Sequence, residues 1–164
     1  MRQRILFVCM GNICRSPTAE GVTRTLAERG GVAASFEFDS AGTHGYHIGK
    51  APDARASQAA ALRGYDLSSL KARQVDSADF LRFDRILAMD RDNLELLRQA
   101  CPPEHHGKLG LFLEFASRHQ EDEVPDPYYG GPEGFEGVLD LIEDAAQGLL
   151  VRTGKRAGAG FRGA

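Results

Sequence analysis

Short apolar runs alternate along this chain with segments patterned as helix, and the first run leads straight into a loop bounded by Cys9 and Arg15. Ile5–Val8 (ILFV) is continuously apolar, the pattern of a strand buried on both faces. Ser16-Pro17 then offers a helix cap with proline at the first helical position, and 18–29 reads as helix until Gly30-Gly31 stops it. The alternation continues with a strand over 36–41, a helix over 52–63 closed by Gly64, a strand over 85–89 and a helix over 91–100. A strand over 108–112 and a helix over 133–151 complete it, the last helix apolar along Phe135, Val138, Leu139, Ile142, Leu149 and Leu150 but weakened by Gly137 and Gly148. This order predicts an α/β fold, a parallel sheet with helices on both faces. Ligands of such sheets bind beyond the carboxyl ends of the strands, so the loop after Cys9 is the first candidate site.

Size and charge narrow the class. At 164 residues, 42% hydrophobic and 26% charged, the chain fits one globular domain with a core that needs no staples. No apolar run approaches the roughly 18 residues of a membrane span, and 5–10 is too short for a signal peptide. A net charge of −3 gives no global basic field for nucleic acid. Three cysteines make no disulfide framework in a chain this long, so a soluble, reducing, cytoplasmic setting is expected. Setting aside the four basic residues after 151 leaves 16 basic against 23 acidic side chains, so 1–151 carries −7 and forms the expected domain. Residues 152–164, basic and glycine-rich, read as a disordered tail.

The loop reads Cys9, Met10, Gly11, Asn12, Ile13, Cys14, Arg15, Ser16. Five residues between a cysteine and an arginine let the backbone curl its N–H groups around an anion, while the guanidinium closes the ring. The helix that follows adds its positive end. A thiol in such a cradle is favoured as the thiolate, which makes Cys9 a nucleophile facing phosphorus. Spacing alone is weak evidence; its position between strand and helix strengthens it. Gly11 and Asn12 allow unusual backbone angles, and Ser16 is either a helix cap, a hydrogen-bond donor to the thiolate, or both.

These residues resemble the low-molecular-weight protein tyrosine phosphatases. FVCMGNICRSPTAE (Phe7–Glu20) is similar to that family's loop and first helix. DSAGT (Asp39–Thr43), KARQV (Lys71–Val75), AMDRDN (Ala88–Asn93) and VPDPYYGG (Val124–Gly131) follow in the family's order. The resemblance covers about residues 4–150. It implies a four-stranded parallel sheet ordered 2-1-3-4 and hydrolysis of phosphotyrosine through a phosphocysteine, with no metal and no cofactor. The implied catalytic residues are Cys9, Arg15 and Asp126, the last as general acid and then base; alone, Asp126-Pro127 reads as a turn opener. Asn12 and Ser40 match positions that hold the loop in shape. Tyr46, Tyr128 and Tyr129 match the walls of the substrate cleft, while Met10 and Ile13 are expected at its floor or rim. The family often has histidine at the position of Leu70, which leaves the composition of the loop's support open. The implied partner is a tyrosine-phosphorylated protein, a tyrosine kinase among the candidates, met by a monomer or a weakly self-associating chain.

Other readings are separable. Arginine phosphatases carry threonine where this chain has Ile13, and the apolar branch favours an aryl phosphate. A thiol-dependent arsenate reductase needs two further cysteines close in sequence, and only Cys101 lies beyond the loop. A non-catalytic phosphate-binding module would be expected to lack Cys9 or Asp126. Cys101 reads as a structural thiol, and Cys14 as either a buried small residue or a redox partner of Cys9. The five histidines show no metal spacing; His44 and His47 could touch the cleft, with a loop surface the favoured reading.

Overall fold

The computed structural model describes residues 2–128 and 131–157. Four parallel strands, β1 (Gln3–Cys9), β2 (Phe36–Gly42), β3 (Arg85–Ala88) and β4 (Leu109–Leu111), form one sheet in the order β2-β1-β3-β4. Five helices accompany them: α1 (Arg15–Arg29), α2 (Ala54–Leu62), α3 (Asp79–Arg82), α4 (Arg91–Ala100) and α5 (Pro132–Ala157). The expected class and strand order are both present.

The apolar run of β1 is explained by its central place, paired with β2 on one side and β3 on the other. Ile5, Phe7 and Cys9 face a core built with α1, α2 and α5, where Val22, Ala60, Phe135 and Ile142 are buried. Leu6 and Val8 face the opposite layer with Phe80, Phe83 and Leu97 from α3, the turn after it, and α4. With both faces covered, no position of β1 after Arg4 tolerates a polar side chain until Cys9. The chain reverses direction of travel across the sheet at β1, and the loop after β1 opens there.

Several expectations are corrected. Ser16 is not a cap: Cys14 holds the N-cap position without a side-chain cap bond, and α1 begins at Arg15. The four-residue α3 and the 3-10 turns at 33–35, 103–108 and 112–115 had no periodic signal to announce them. Phe112 leaves the strand early to enter one of those turns. α5 continues to Ala157, past the tail boundary drawn at 151; Arg152 lies over the Phe115 ring and Thr153 is buried. The remainder of that tail lies outside the described residues. No helix among the described residues is long and apolar enough to cross a membrane.

Candidate active site

Cys9 ends β1 almost fully buried, and Arg15 opens α1 just as deeply. Between them the chain turns through Asn12, whose φ of 58° is the one positive value among the described non-glycine residues. Asparagine tolerates that left-handed angle, as its place in the loop suggested. Gly11 is needed for a different reason than the expected backbone freedom: a Cβ there would stand 2.9 Å from the His47 ring. Gly42 at the end of β2 is more constrained, because its Cβ would meet the Met10 carbonyl at 2.7 Å. The loop's outer backbone is pinned there, with Thr43 N–H donating to the Cys9 carbonyl and His44 N–H to that of Met10.

Side chains fix the loop from within. Cys9 Sγ lies 3.0 Å from Ser16 Oγ, and Ser16 N–H reaches the same sulfur at 3.4 Å. Asn12 Nδ2 donates to Ser16 Oγ at 2.8 Å and to Ser40 Oγ at 3.0 Å. Ser40 in turn donates to Glu20 at 2.7 Å, and Arg24 closes the chain on Glu20 at 2.6 Å. Burial raises the Glu20 pKa above the ordinary carboxylate value, against the hydrogen bonds from Ser40 and Arg24. The side-chain Oδ1 of Asn12 accepts the Arg73 backbone N–H, and Arg73 is held between Asp39 and Asp79, each at 3.0 Å. Leu70 packs, half-buried, against the core instead of joining this network.

Arg15 is oriented by groups outside the loop. Its Nη1 donates to Asp90 at 2.6 Å and to the Val124 carbonyl at 3.0 Å, while Nη2 lies 3.7 Å from Asp126. Burial opposes its charge, but Cys9, the Asp90 hydrogen bond and the Asp90 and Asp126 carboxylates hold its pKa above the ordinary guanidinium value. The Asp126 segment is anchored next to it, because Val124 N–H donates to the Met89 carbonyl at the end of β3. Asp126 Oδ1 accepts the Tyr128 N–H at 3.0 Å.

The loop and this segment enclose a cavity of about 210 Å³ lined by Cys9, Met10, Gly11, Ile13, Cys14, Arg15, Tyr46, His47, Asp126 and Tyr128. Its rim is aromatic: His44 stacks on Tyr46 at 5.0 Å, and His47 lies 6.4 Å from Tyr128. Tyr46 and Tyr128 line this cavity, whereas Tyr129 lies outside the described residues. Of the two histidines that could touch the cleft, His47 lines it, against the favoured loop-surface reading. Burial, and after it Asp53, Cys9 and Asp126, pushes the Cys14 thiol up to about 12. No group of three or more His, Cys, Asp or Glu among the described residues is placed to hold a metal ion.

Sequence reasoning missed Asp90, Glu20 and Gly42, and favoured the surface for His47. Asp90 did carry a signal, since an aspartate opening a helical pattern reads as a cap, and it does cap α4 through Asn93 N–H. Glu20 stands four residues before Arg24, a helical ion-pair spacing. The other two depend on contacts between distant segments and had no local signature.

Comparison with known proteins agrees with this geometry. The family model for low molecular weight phosphotyrosine protein phosphatase matches residues 4–158. A relative from Synechocystis is 45% identical over 153 residues, covering 93% of this chain and 97% of its own. The low molecular weight protein-tyrosine-phosphatase of Streptomyces coelicolor is 43% identical, covering 92% and 93%. The crystal structure of a protein tyrosine phosphatase from Entamoeba histolytica, with Hepes in its active site, superposes with a TM-score of 0.91 at 40% identity, covering 94% of this chain and 98% of that one. The loop between β1 and α1 therefore sits in a protein-tyrosine phosphatase, and the chain belongs to the low molecular weight phosphotyrosine protein phosphatase family.

Proposed function

We propose that this enzyme hydrolyses protein phosphotyrosine and small aryl phosphates with Cys9 as nucleophile, Arg15 as phosphate ligand and Asp126 as general acid and base. The observation that carries this reading is the convergence of the three side chains on one cavity, with Ser16 Oγ at 3.0 Å from the Cys9 sulfur. A phosphate seated in the loop meets backbone N–H groups, the Arg15 guanidinium and the end of α1. The Cys9 thiolate attacks phosphorus, the S–P bond forms and the P–O bond to the aryl group breaks. Asp126 in its acid form gives its proton to the departing oxygen. In the second step a water oxygen attacks the phosphocysteine, and Asp126, now a carboxylate, takes the water's proton. The S–P bond breaks, releasing inorganic phosphate and the Cys9 thiolate.

The Ser16 hydroxyl donates to the thiolate in the resting enzyme and to the departing sulfur in the second step. Tyr46, Tyr128 and the apolar Ile13 suit a flat aromatic ring above the phosphate. The natural substrates are therefore tyrosine-phosphorylated proteins, the ring reaching the loop from an exposed segment.

Two variants test the assignment. Cys9→Ser is expected to abolish turnover while the protein stays folded and binds phosphate, because a hydroxyl at neutral pH attacks poorly. Retention of more than about a tenth of the activity would place the nucleophile elsewhere. Asp126→Asn is expected to lower kcat/KM by roughly 10²–10⁴ on phenyl phosphate and much less on 4-nitrophenyl phosphate, whose leaving group needs little protonation. A small, equal loss on both would reduce Asp126 to a loop residue.

A further inference from the structure

The geometry points to Arg55 as the positioning residue that holds the Asp126 segment in register with the phosphate loop. This inference rests on Asp126 being the general acid. Asp126 and Cys9 belong to segments more than 100 residues apart in sequence. Proton transfer needs them placed to within a fraction of an ångström, since a misplacement of about 1 Å can cost 10²-fold in rate.

One continuous chain of bonds crosses the cleft on the side away from Asp90. It begins at the phosphate loop, where the Ile13 carbonyl accepts the Asp53 backbone N–H at 2.8 Å. The Asp53 carboxylate caps α2 and faces the Arg55 guanidinium in a fork, Nε to Oδ1 at 3.2 Å and Nη2 to Oδ2 at 3.1 Å. Arg55 Nη2 then donates to the Tyr128 carbonyl at 2.8 Å. Tyr128 returns its own N–H to Asp126 Oδ1 at 3.0 Å. The guanidinium also lies 5.5 Å from the centroid of the Tyr128 ring and 4.9 Å from that of the buried Phe135 near the start of α5.

An exposed Arg–Asp pair alone contributes little to stability. What distinguishes Arg55 is that its Nε and Nη2 reach a carboxylate and a carbonyl from two different segments at once, with the rings of Tyr128 and Phe135 beside the guanidinium. A lysine ammonium is a single point charge and cannot reproduce that fork. The hydrogen bonds from Arg55 outweigh partial burial and keep the Asp53 carboxyl below its usual value, consistent with a maintained ion pair. The side of the cleft nearest Asp90 has its own tie, through Arg15 and Val124. Arg55 supplies the second tie, at Tyr128, and together they fix the segment on both sides of Asp126.

The test is kcat/KM across aryl phosphates of graded leaving-group pKa, for Arg55→Ala and Arg55→Lys, each alone and combined with Asp126→Asn. Arg55→Ala is expected to lose about tenfold on phenyl phosphate and under about threefold on 4-nitrophenyl phosphate, so that the dependence on leaving-group pKa steepens. Arg55→Lys is expected to fall between, and it carries the test should the alanine variant fail to fold. In the Asp126→Asn background neither change is expected to add a loss, and inhibition by inorganic phosphate stays as in the parent. An equal loss on all leaving groups, or a loss undiminished in that background, overturns the proposal, because Arg55 would then act on the phosphate loop or on the fold. Asp126→Asn alone judges the acid assignment separately; without leaving-group dependence there, both readings fall.

Discussion

Cys9 and Cys14 share one small loop and one cavity, yet their surroundings divide their chemistry. Cys9 has Ser16 and the Arg15 guanidinium for company, whereas burial and the charges of Asp53, Cys9 and Asp126 hold the Cys14 proton on up to about 12. As the proposed nucleophile, Cys9 is expected to react first with peroxide, giving a sulfenic acid. Cys14, which lines the same cavity, is then expected to condense with it, forming a Cys9–Cys14 disulfide and releasing water before the irreversible sulfinic stage. The buried Cys14 thiol makes that condensation slower at neutral than at alkaline pH. Mild peroxide is therefore expected to inactivate reversibly, and added phosphate to protect. Cys14→Ser is expected to be active when reduced but to recover much less after peroxide followed by thiol. Peptide mapping decides: a Cys9–Cys101 bridge, or equal recovery in the variant, removes Cys14 from the scheme.

At the scale of elements, α5 shows how one residue type carries opposite meanings along a single helix. A Cβ at Gly148 would lie 1.8 Å from the Phe115 carbonyl oxygen, so α5 reaches the turn at 112–115 only because that position has no side chain. Gly137 is exposed and a Cβ there meets nothing within 4 Å. Gly148→Ala is expected to destabilise by about 2–3 kcal/mol through forced separation of helix and turn. Gly137→Ala is expected to stabilise by roughly 0.5–1 kcal/mol through helix propensity. Urea midpoints for the two variants shifting the same way would refute this account. From sequence both glycines read alike, as weak points in a helical pattern, because the difference lies in a backbone contact from a distant turn. The same limit explains Ser16 and His47. Ser16-Pro17 has the local chemistry of a helix start, but α1 is capped two residues earlier, at Cys14, and the Ser16 hydroxyl lies against the Cys9 sulfur. Nothing near His47 in the chain announces that its ring covers Gly11. What was legible was periodic or contiguous: the alternation of strands and helices, and the Cys9–Arg15 loop; Asp126 stood out only through the family resemblance. Asp90 and Arg55 escaped because their roles are relations between segments, and a single sequence records no relations.

The whole molecule is arranged so that segments distant in sequence meet around one cavity. β1 and α1 supply the loop, β2 pins it through Gly42, and the end of β3 supplies Asp90 and the Met89 carbonyl that anchors Val124. The Asp126 segment is also tied farther back, where the buried Asp144 on α5 accepts the N–H groups of Ser117, Arg118 and His119 at 2.9–3.0 Å. Unfolding any of these elements takes the cradle apart, so an anion that binds only the assembled loop stabilises the entire fold. At a hundred times its dissociation constant such a ligand adds about 2.7 kcal/mol. For a domain of this size each kcal/mol moves Tm by roughly 2–4 °C, so a rise of about 5–11 °C is expected. Cys9→Ser with inorganic phosphate is the cleanest case, because no covalent bond to sulfur contributes. Its Tm is expected to climb with the logarithm of phosphate concentration above the dissociation constant, whereas chloride at equal ionic strength leaves it flat. Arg15→Lys keeps the charge but loses the planar fork, and its rise is expected to need far higher phosphate. Equal shifts with chloride, or an Arg15→Lys response indistinguishable from that of the parent, would mean that the anion acts on surface charge generally and that the loop is not its site.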